Sequence, residues 1–226
     1  MPREIEPTRS VLITGAAGVL GRAVATEMTR RAWTVIGVDI TQGPHVSAIL
    51  DLSSDDELST LETLVKRRSV DGAIFCHGHL GRLELLSTTS EEISLTLNNN
   101  LMSTIKVAKL LLLLNPEAFK IVHVGSLAAE TGATDPIYAA SKAACRAFVL
   151  SLARSHLNCR CCVIEPGPFE SQMNTSKGNS LKYLSRSPIG RLITPHEVAQ
   201  VICSAWECAE ALNGSVIPVD GGIRIS

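Results

Sequence analysis

Short apolar runs alternate with longer segments of helical periodicity along this chain, and the alternation restricts the fold more than any other feature. Strands that are apolar on both faces belong to parallel sheets covered by helices on each side. The pattern therefore predicts an α/β fold with a doubly wound, parallel, seven-stranded sheet. Strands are predicted at residues 11–14, 34–38, 48–50, 72–76, 120–125, 160–164 and 215–218. Helices are predicted at residues 20–31, 55–67, 90–114, 136–156 and 195–211.

The length and composition predict one globular domain over residues 1–226. A domain of this size buries roughly 70% of the surface of its unfolded chain, so one core is sufficient without disulfide bonds. Hydrophobic residues make up 45% of the chain and aromatic residues only 4%, so we expect a mainly aliphatic core.

The charge balance argues against two classes of partner. With 21 basic and 22 acidic residues the net charge is -1, so no strong positive field exists to hold a nucleic acid or an anionic membrane surface. The leucine run at 110–114 is far shorter than the roughly 20 apolar residues of a membrane-spanning helix. Residues 1–9 are polar and carry no signal-peptide core, so we expect a soluble, cytoplasmic protein that binds neither nucleic acid nor membrane.

Seven cysteines give an odd count, and nothing indicates export, so no disulfide framework is expected. Cys159, Cys161 and Cys162 form a cluster, but tetrahedral zinc sites need a second pair of ligands, which does not follow. We interpret the cluster as small buried side chains of a strand. His77 and His79 alternate without a third ligand, so no metal site is expected.

A glycine-rich loop directly follows the first predicted strand and opens the first predicted helix. Residues 14–21 are Thr-Gly-Ala-Ala-Gly-Val-Leu-Gly. Glycine permits positive φ and close backbone approach, so the amides at the helix N-terminus can bind a pyrophosphate group. A purely structural turn is the alternative. The residues expected to contact a dinucleotide here are Gly15, Ala17, Gly18, Val19 and Leu20.

Asp39 ends the second predicted strand, 24 residues after the first glycine of the loop. A carboxylate at this position can accept hydrogen bonds from both hydroxyls of an adenosine ribose, and it repels a 2′-phosphate. Neither Ala17 nor Thr41 supplies a positive charge to offset that repulsion, so we expect NAD as the cofactor rather than NADP. After the third strand, Asp51 and Leu52 could contact adenine, or Asp51 could simply cap the next helix.

Tyr138 and Lys142 are four residues apart in a predicted helix, so their side chains share one face. A phenol is a weak acid–base group at neutral pH, but a nearby ammonium group favours its phenolate form. Tyr138 could then exchange a proton with a substrate oxygen, and Lys142 could bind the ribose of a nicotinamide nucleotide. An unrelated pair on the helix surface is the alternative. Ser126 follows the fifth strand, where its hydroxyl could polarise a carbonyl or cap a turn.

Together, several motifs resemble the short-chain dehydrogenase/reductase family in order and spacing over nearly the whole chain. They are residues 14–21, Asp39, Ser126, Tyr138-x-x-x-Lys142, Pro166-Gly167 and the Val-Asp-Gly-Gly sequence at 219–222. The resemblance implies a Rossmann fold of the shorter, single-domain branch. It implies Tyr138 as the acid–base, Lys142 as the cation that favours its ionisation, and Ser126 as the residue that orients the substrate. It also implies that Asn100, one of three consecutive asparagines, holds a relay water.

The resemblance also assigns cofactor contacts after the fourth and sixth strands. It implies that His77 and Gly78 contact the cofactor, as do Tyr138 and Lys142. It implies in addition that Pro166, Gly167 and Phe169 lie beside the nicotinamide carboxamide.

A substrate lid and an oligomer are further implications of the resemblance. It implies a short lid at residues 169–188, and a homotetramer or homodimer formed through the helices at 90–114 and 136–156. The leucine run fits an interface, because five successive apolar residues face every side of a helix and some must be buried by a neighbour.

Three departures from the family pattern lie at the candidate site. The glycine spacing 15, 18 and 21 is that of the longer, epimerase-like branch, whereas the chain length and the Val-Asp-Gly-Gly ending match the shorter branch. Cys76-His77-Gly78 stands where the family has Asn-Ala-Gly, so a sheet-stabilising amide is lost and bulk is added near the cofactor. Gly125-Ser126 replaces the more usual Ser-Ser.

We therefore expect an NAD-dependent oxidoreductase that interconverts a secondary alcohol and a ketone, or oxidises a cyclic diol, by hydride transfer. A non-catalytic protein that senses NAD, or a scaffold, on the same fold is the main alternative. A reversible thiol sensor built on residues 159–162 is a third. The sequence does not specify which small-molecule alcohol or carbonyl compound is the substrate.

Overall fold

A computed structural model describes residues 9–81, 84–115, 118–171 and 183–226 of the chain. The strands are β1 (Ser10–Thr14), β2 (Thr34–Asp39), β3 (Val46–Ile49), β4 (Gly72–Phe75), β5 (Phe119–Val124), β6 (Cys159–Pro166) and β7 (Val216–Val219). They form one seven-stranded sheet in the order β3-β2-β1-β4-β5-β6-β7, and all neighbouring strands are parallel. The predicted doubly wound fold is confirmed. Its strand order reverses between β1 and β4, which opens a crevice at their carboxyl ends.

Helices cover both faces of the sheet. They are α1 (Val19–Arg30), α2 (Asp55–Arg68), α3 (Ser90–Leu97), α4 (Ser103–Leu114), α5 (Ala128–Thr131), α6 (Pro136–Ser155) and α7 (Pro195–Glu207). Short 3-10 turns occupy Leu85–Ser87 and Ile223–Ile225.

Successive side chains of each central strand enter two separate cores, because side chains alternate across a strand. Leu12 of β1 packs in the core formed with α2, α4 and α6, whereas its neighbour Ile13 packs in the core formed with α1 and α7. Both side chains are fully buried. Each such aliphatic side chain contributes about 1.5–3 kcal/mol of burial free energy.

The predicted helix at 90–114 is interrupted, which corrects the sequence-based assignment. A π-helical turn at Asn98–Met102 separates α3 from α4. Ser103 and Thr104 donate their hydroxyls to backbone carbonyls one turn earlier, at 2.6 and 2.7 Å. Hydrophobic periodicity does not register one extra residue in a turn, so only the hydrogen bonds locate this feature.

The last helix ends earlier than predicted, at Glu207 rather than at residue 211. The segment that follows turns back onto β6, where Asn213 accepts a hydrogen bond from the Cys161 amide at 2.9 Å and Gly214 donates to the Cys161 carbonyl at 2.7 Å. These long-range hydrogen bonds stabilise the return of the chain to β6 rather than a continuation of α7. The short helix α5 was not predicted from the sequence.

The leucine run at 110–114 ends α4 and is exposed on one side. Leu111 is fully buried against the sheet, whereas Leu113 is 71% exposed. Among the helices of the described residues, none is both long and apolar enough to pass through a bilayer.

Candidate active site

The glycine loop between β1 and α1 has a backbone shape that side chains would prevent. Gly15 has a φ of +69°, in the left-handed region, and a Cβ on it would lie 2.7 Å from the backbone of His77. A Cβ on Gly21 would lie 1.9 Å from the Gly15 carbonyl oxygen. Because these are backbone contacts that cannot move aside locally, both positions require glycine.

The first turn of α1 carries no side-chain cap. Its N-cap residue is Gly18, which has no side chain to bind the amides of that turn. By contrast, the side chains of Asp135 and Thr194 cap α6 and α7. The positive end of the α1 dipole and the amides of residues 19–21 are therefore available to an anion. This arrangement fits the pyrophosphate of a dinucleotide.

Asp39 lies at the carboxyl end of β2 and is hydrogen-bonded within the site. Its Oδ2 accepts from the Ala17 amide at 2.9 Å, and its Oδ1 accepts from the Thr41 amide and hydroxyl at 3.0 and 3.1 Å. Two carboxylate oxygens have about four acceptor positions, and these three bonds leave about one of them for a ribose hydroxyl. Sequence reasoning assigned Asp39 to the ribose only. Its hydrogen bond to the glycine loop was missed, because the contact depends on the fold.

The two residues predicted to contact adenine differ in accessibility. Asp51 Oδ1 accepts hydrogen bonds from the amide and the hydroxyl of Ser53, at 2.9 and 2.7 Å, in the turn before α2. This local role is close to the capping alternative. Leu52 is buried and packs in the core beneath α2.

Tyr138 and Lys142 lie on one face of α6, as their spacing predicts. Lys142 is only 5% exposed, and its Nζ donates to the Val124 carbonyl at the end of β5, at 3.1 Å. The same Nζ lies 5.9 Å from the centre of the half-buried Tyr138 ring. A Cβ on Gly78 would lie 3.1 Å from Lys142 Nζ. The loop after β4 therefore lies directly against the ammonium group.

Asn100 is the buried member of the three consecutive asparagines, and it lies in the π turn. Its Nδ2 donates to the His79 carbonyl at 3.0 Å and to the Ser141 hydroxyl at 2.8 Å, while its Oδ1 accepts from the His79 amide at 2.6 Å. Ser141 in turn donates to the Tyr138 carbonyl at 2.7 Å. Asn100 thus connects the loop after β4 to α6. Sequence reasoning missed Ser141, for which the only signal was a hydroxyl directly before Lys142.

Ser126 follows β5 and lies two residues before the short helix α5. Its Oγ accepts a hydrogen bond from the Ala128 amide at 3.2 Å, which is the capping role proposed as the alternative. A hydroxyl that accepts one bond can still donate its own hydrogen. The half-buried side chain therefore remains able to donate to a substrate oxygen.

The end of β6 is packed closely against the end of β7. The Gly167 amide donates to the Val219 carbonyl at 2.9 Å, and a Cβ on Gly167 would lie 2.6 Å from Asp220. Pro166 pairs with Val219 in the last register position. Phe169 packs against the core under α1 and α7. These contacts place residues 166–169 at the carboxyl edge of the sheet.

The predicted lid at 169–188 falls mainly outside the described residues, since residues 172–182, with Gly178, are not among them. At the near edge, Phe169 forms an isolated bridge with Ile193, and the Glu170 amide donates to the Ile193 carbonyl at 2.9 Å.

The cysteine cluster lies inside the sheet. Cys159, Cys161 and Cys162 are buried on β6, and the sulfurs of Cys159 and Cys161 lie 3.2 Å apart. Burial raises the pKa of the Cys162 thiol to about 11, which disfavours the reactive thiolate. The described residues contain no group of three or more His, Cys, Asp or Glu side chains arranged to hold a metal ion.

Comparisons with known proteins cover nearly the whole chain. A family model described as enoyl-(acyl carrier protein) reductase matches residues 15–224. Carbonyl reductase family member 4 of Xenopus laevis is 29% identical over 231 residues, covering 94% of this chain and 97% of that protein. The 3-oxoacyl-(acyl-carrier-protein) reductase FabG of Vibrio harveyi is 26% identical over 234 residues, covering 94% of this chain and 96% of that protein.

A solved structure shows the same architecture. It is that of a short-chain dehydrogenase/reductase, titled SDR:glucose/ribitol dehydrogenase, from Brucella melitensis. The TM-score is 0.88 and the identity 26%, with 96% of each chain covered.

Proposed function

The chain belongs to the short-chain dehydrogenase/reductase family, and from this premise we propose that it is an NAD-dependent oxidoreductase that interconverts a secondary alcohol and a ketone, or oxidises a cyclic diol. One observation carries the proposal. The buried ammonium of Lys142 lies 5.9 Å from the Tyr138 ring, at the sheet edge where α1 begins without a cap.

The dinucleotide, when bound, would supply or accept the hydride. Tyr138 would donate its hydroxyl proton to the carbonyl oxygen in reduction and take a proton from the alcohol in oxidation. The positive charge of Lys142 attracts the negative charge that develops on the Tyr138 oxygen. Ser126 would donate a hydrogen bond to the same substrate oxygen and so hold it beside the phenol.

NAD is proposed over NADP because Asp39 would meet the 2′ position of the adenosine ribose. A carboxylate favours the two hydroxyls of NAD and repels a 2′-phosphate. Among the described residues, the hydrogen-bond donors to Asp39 are the Ala17 amide and the amide and hydroxyl of Thr41, and none is charged. We expect kcat/KM with NAD to exceed that with NADP.

The deciding experiment compares wild type with Tyr138→Phe on a panel of secondary alcohols, cyclic diols and ketones. The relatives named above add 3-oxoacyl thioesters to the panel. We expect kcat to fall by roughly 10²–10⁴, the usual contribution of a positioned acid–base group. NADH binding, measured by calorimetry, should stay close to wild type and shows that the variant is folded.

The outcomes separate the proposed enzyme from its rival. A wild type that binds NADH but turns over nothing in the panel would support the non-catalytic NAD-sensing protein. Equal turnover by wild type and Tyr138→Phe would remove Tyr138 from the chemistry while leaving the family assignment intact.

We also propose a homodimer or homotetramer formed through the exposed faces of α4 and α6. A groove of about 360 Å³ lies between these helices, lined by residues that include Leu112, Leu113 and Phe148. Light scattering at micromolar concentration should show a multiple of the chain mass, and Leu113→Glu should shift the protein toward monomer. Scattering that finds only monomer in the wild type would contradict this proposal.

A further inference from the structure

The imidazole of His77 is hydrogen-bonded through both of its nitrogens, although the family has alanine at this position. Nδ1 lies 2.6 Å from the Thr14 hydroxyl at the end of β1. Nε2 lies 2.9 Å from the Ser103 hydroxyl and 3.2 Å from the Thr104 hydroxyl, both at the start of α4. Thr14, Ser103 and Thr104 are all fully or almost fully buried. One side chain therefore connects the glycine loop with the helix after the π turn.

The direction of each hydrogen bond follows from the partners. Ser103 and Thr104 donate their hydroxyl hydrogens to backbone carbonyls, so toward His77 they can only accept. Nε2 must therefore carry the hydrogen, and Nδ1 accepts from Thr14. Burial, together with the nearby charge of Lys142, lowers the pKa of His77 to about 3. The ring is thus neutral, in the Nε2–H form.

The two connected elements lie on opposite sides of the cofactor crevice. Thr14 directly precedes Gly15, whose position is set against the backbone of His77 itself. On the other side, Thr104 donates to the carbonyl of Asn100 at 2.7 Å, inside the π turn. A shift of the imidazole would move both the phosphate-binding loop and the turn that carries Asn100.

We propose that His77 is a positioning residue, which fixes the glycine loop relative to the π turn and so preorganises the dinucleotide site. The inference rests on the proposed function, because the site that it organises is the proposed cofactor site. The added bulk expected from the sequence lies between β1 and α4, and it supplies hydrogen bonds between these elements in a chain that has lost the family's amide.

The test separates the hydrogen bonds of His77 from its packing. His77→Phe keeps a ring of similar shape next to Phe75, whose ring centre lies 5.9 Å away, but it removes all three bonds. We expect the dissociation constant of NADH, measured by calorimetry, to rise roughly tenfold. The KM for the nucleotide should rise in proportion, while the KM for the alcohol changes little.

His123→Phe is the matched control. His123 is buried on β5 and also packs edge-on against Phe75, at 6.3 Å, but among the described residues neither of its ring nitrogens has a hydrogen-bond partner. Replacing this imidazole removes no hydrogen bond, so NADH affinity should match wild type. If His77→Phe does not fold, Ser103→Ala removes one partner of the same ring and should weaken NADH binding by about threefold.

A second readout needs no nucleotide. Amide hydrogen exchange of the free protein should accelerate in residues 14–21 and 98–104 of His77→Phe, and in neither segment of His123→Phe. Unchanged exchange in both segments, or a lower melting temperature with wild-type NADH affinity, would overturn the proposal. A wild type that binds no NADH would instead reject the proposed function, and the exchange comparison would still decide the role of His77.

Discussion

The proposed nucleotide half of the site, from β1 to β2, is shaped largely by backbone contacts, whereas the reacting half, around the π turn and α6, is shaped by hydrogen bonds that side chains make. In the first half, Gly15 and Gly21 lie where any Cβ would meet main-chain atoms at 2.7 Å or less. In the second, Asn100 holds His79 and Ser141 through bonds of 2.6–3.0 Å. A steric contact tolerates no added atom, while each hydrogen bond contributes only about 1 kcal/mol. Substitutions at the glycines of the nucleotide half should therefore cause large losses of affinity or activity, whereas substitutions in the reacting half should cause smaller, graded losses.

The largest effect is expected from Gly21→Ala. The new methyl group would overlap the Gly15 carbonyl oxygen, so the loop must open, and NADH affinity should fall by about 100-fold or more. The control is Gly132→Ala, where φ is +76° but, apart from adjacent residues of the chain, no atom of the described residues lies within 4 Å of the place that the methyl group would occupy. It should lose about 1 kcal/mol of stability and keep its NADH affinity. Calorimetric titration measures the NADH affinity of both variants. Normal NADH binding by Gly21→Ala would contradict the inference that backbone contacts shape the nucleotide half of the site.

A smaller, graded effect is expected from Asn100→Ala. Three side-chain bonds disappear and the polar groups of His79 lose their partners, so the free energy of unfolding should fall by about 2 kcal/mol and kcat by about tenfold. Asn99→Ala is the matched control, because Asn99 Nδ2 makes one bond, to the Leu95 carbonyl, at the helix surface. Urea denaturation followed by tryptophan fluorescence measures the free energy of unfolding of both variants, and steady-state kinetics measure their kcat. Equal losses would contradict the central position of Asn100.

A change of preference, rather than a loss of activity, is expected from Asp39→Asn. The variant keeps an oxygen that can accept from the Ala17 amide but loses the negative charge. The ratio of kcat/KM for NADP to that for NAD should therefore rise by about tenfold, which corresponds to about 1.4 kcal/mol. Steady-state kinetics with both nucleotides check this. An unchanged ratio would show that charge at residue 39 does not select the cofactor.

The smallest effect on the site is expected from Glu27→Gln, at the far end of α1. Arg30 and Arg31 hold the pKa of Glu27 at about 2, below its ordinary value of 4.5. Since the folded pKa is the lower one, the stabilisation is fully present above pH 4.5 and is lost as the pH falls toward 2. The variant should melt below wild type at pH 7, and the difference should shrink below pH 4.5.

Thermal denaturation across this pH range tests the linkage. NADH affinity should be unchanged, because the start of α1 is held by the glycine loop and not by its last turn. Weakened NADH binding in Glu27→Gln would contradict the inference that the nucleotide half of the site is held by the backbone of the glycine loop and not by side chains at the far end of α1.

Local chemistry explains why much of the fold was predictable. The apolar runs around Leu12 and Ile121 indicate buried strands, because few polar residues interrupt them. The break at Asn98–Met102 was not predictable in this way, since α3, the π turn and α4 share one continuous helical pattern. The bounds of α7 depended on bonds to β6, which lies some fifty residues earlier in the chain.

The candidate site likewise has features that follow from local sequence and features that depend on long-range contacts. The spacing of Tyr138 and Lys142 predicts a shared helix face without knowledge of the rest of the molecule. Which asparagine of the three is buried depends on the π turn, and the contacts of the His77 ring with β1 and α4 likewise depend on the fold. The roles assigned to individual residues and the single domain over residues 1–226 stay predictions.

The sequence by itself determined the order of the main strands and helices along the chain and the shared face of Tyr138 and Lys142, because these depend on residues close together in the chain. Only the tertiary structure decided what His77 and Asn100 bind. His77 meets Thr14 across 63 positions, and Asn100 meets Ser141 across 41. Side chains that far apart are brought together by the packing of whole helices on the sheet, and no local pattern encodes that packing.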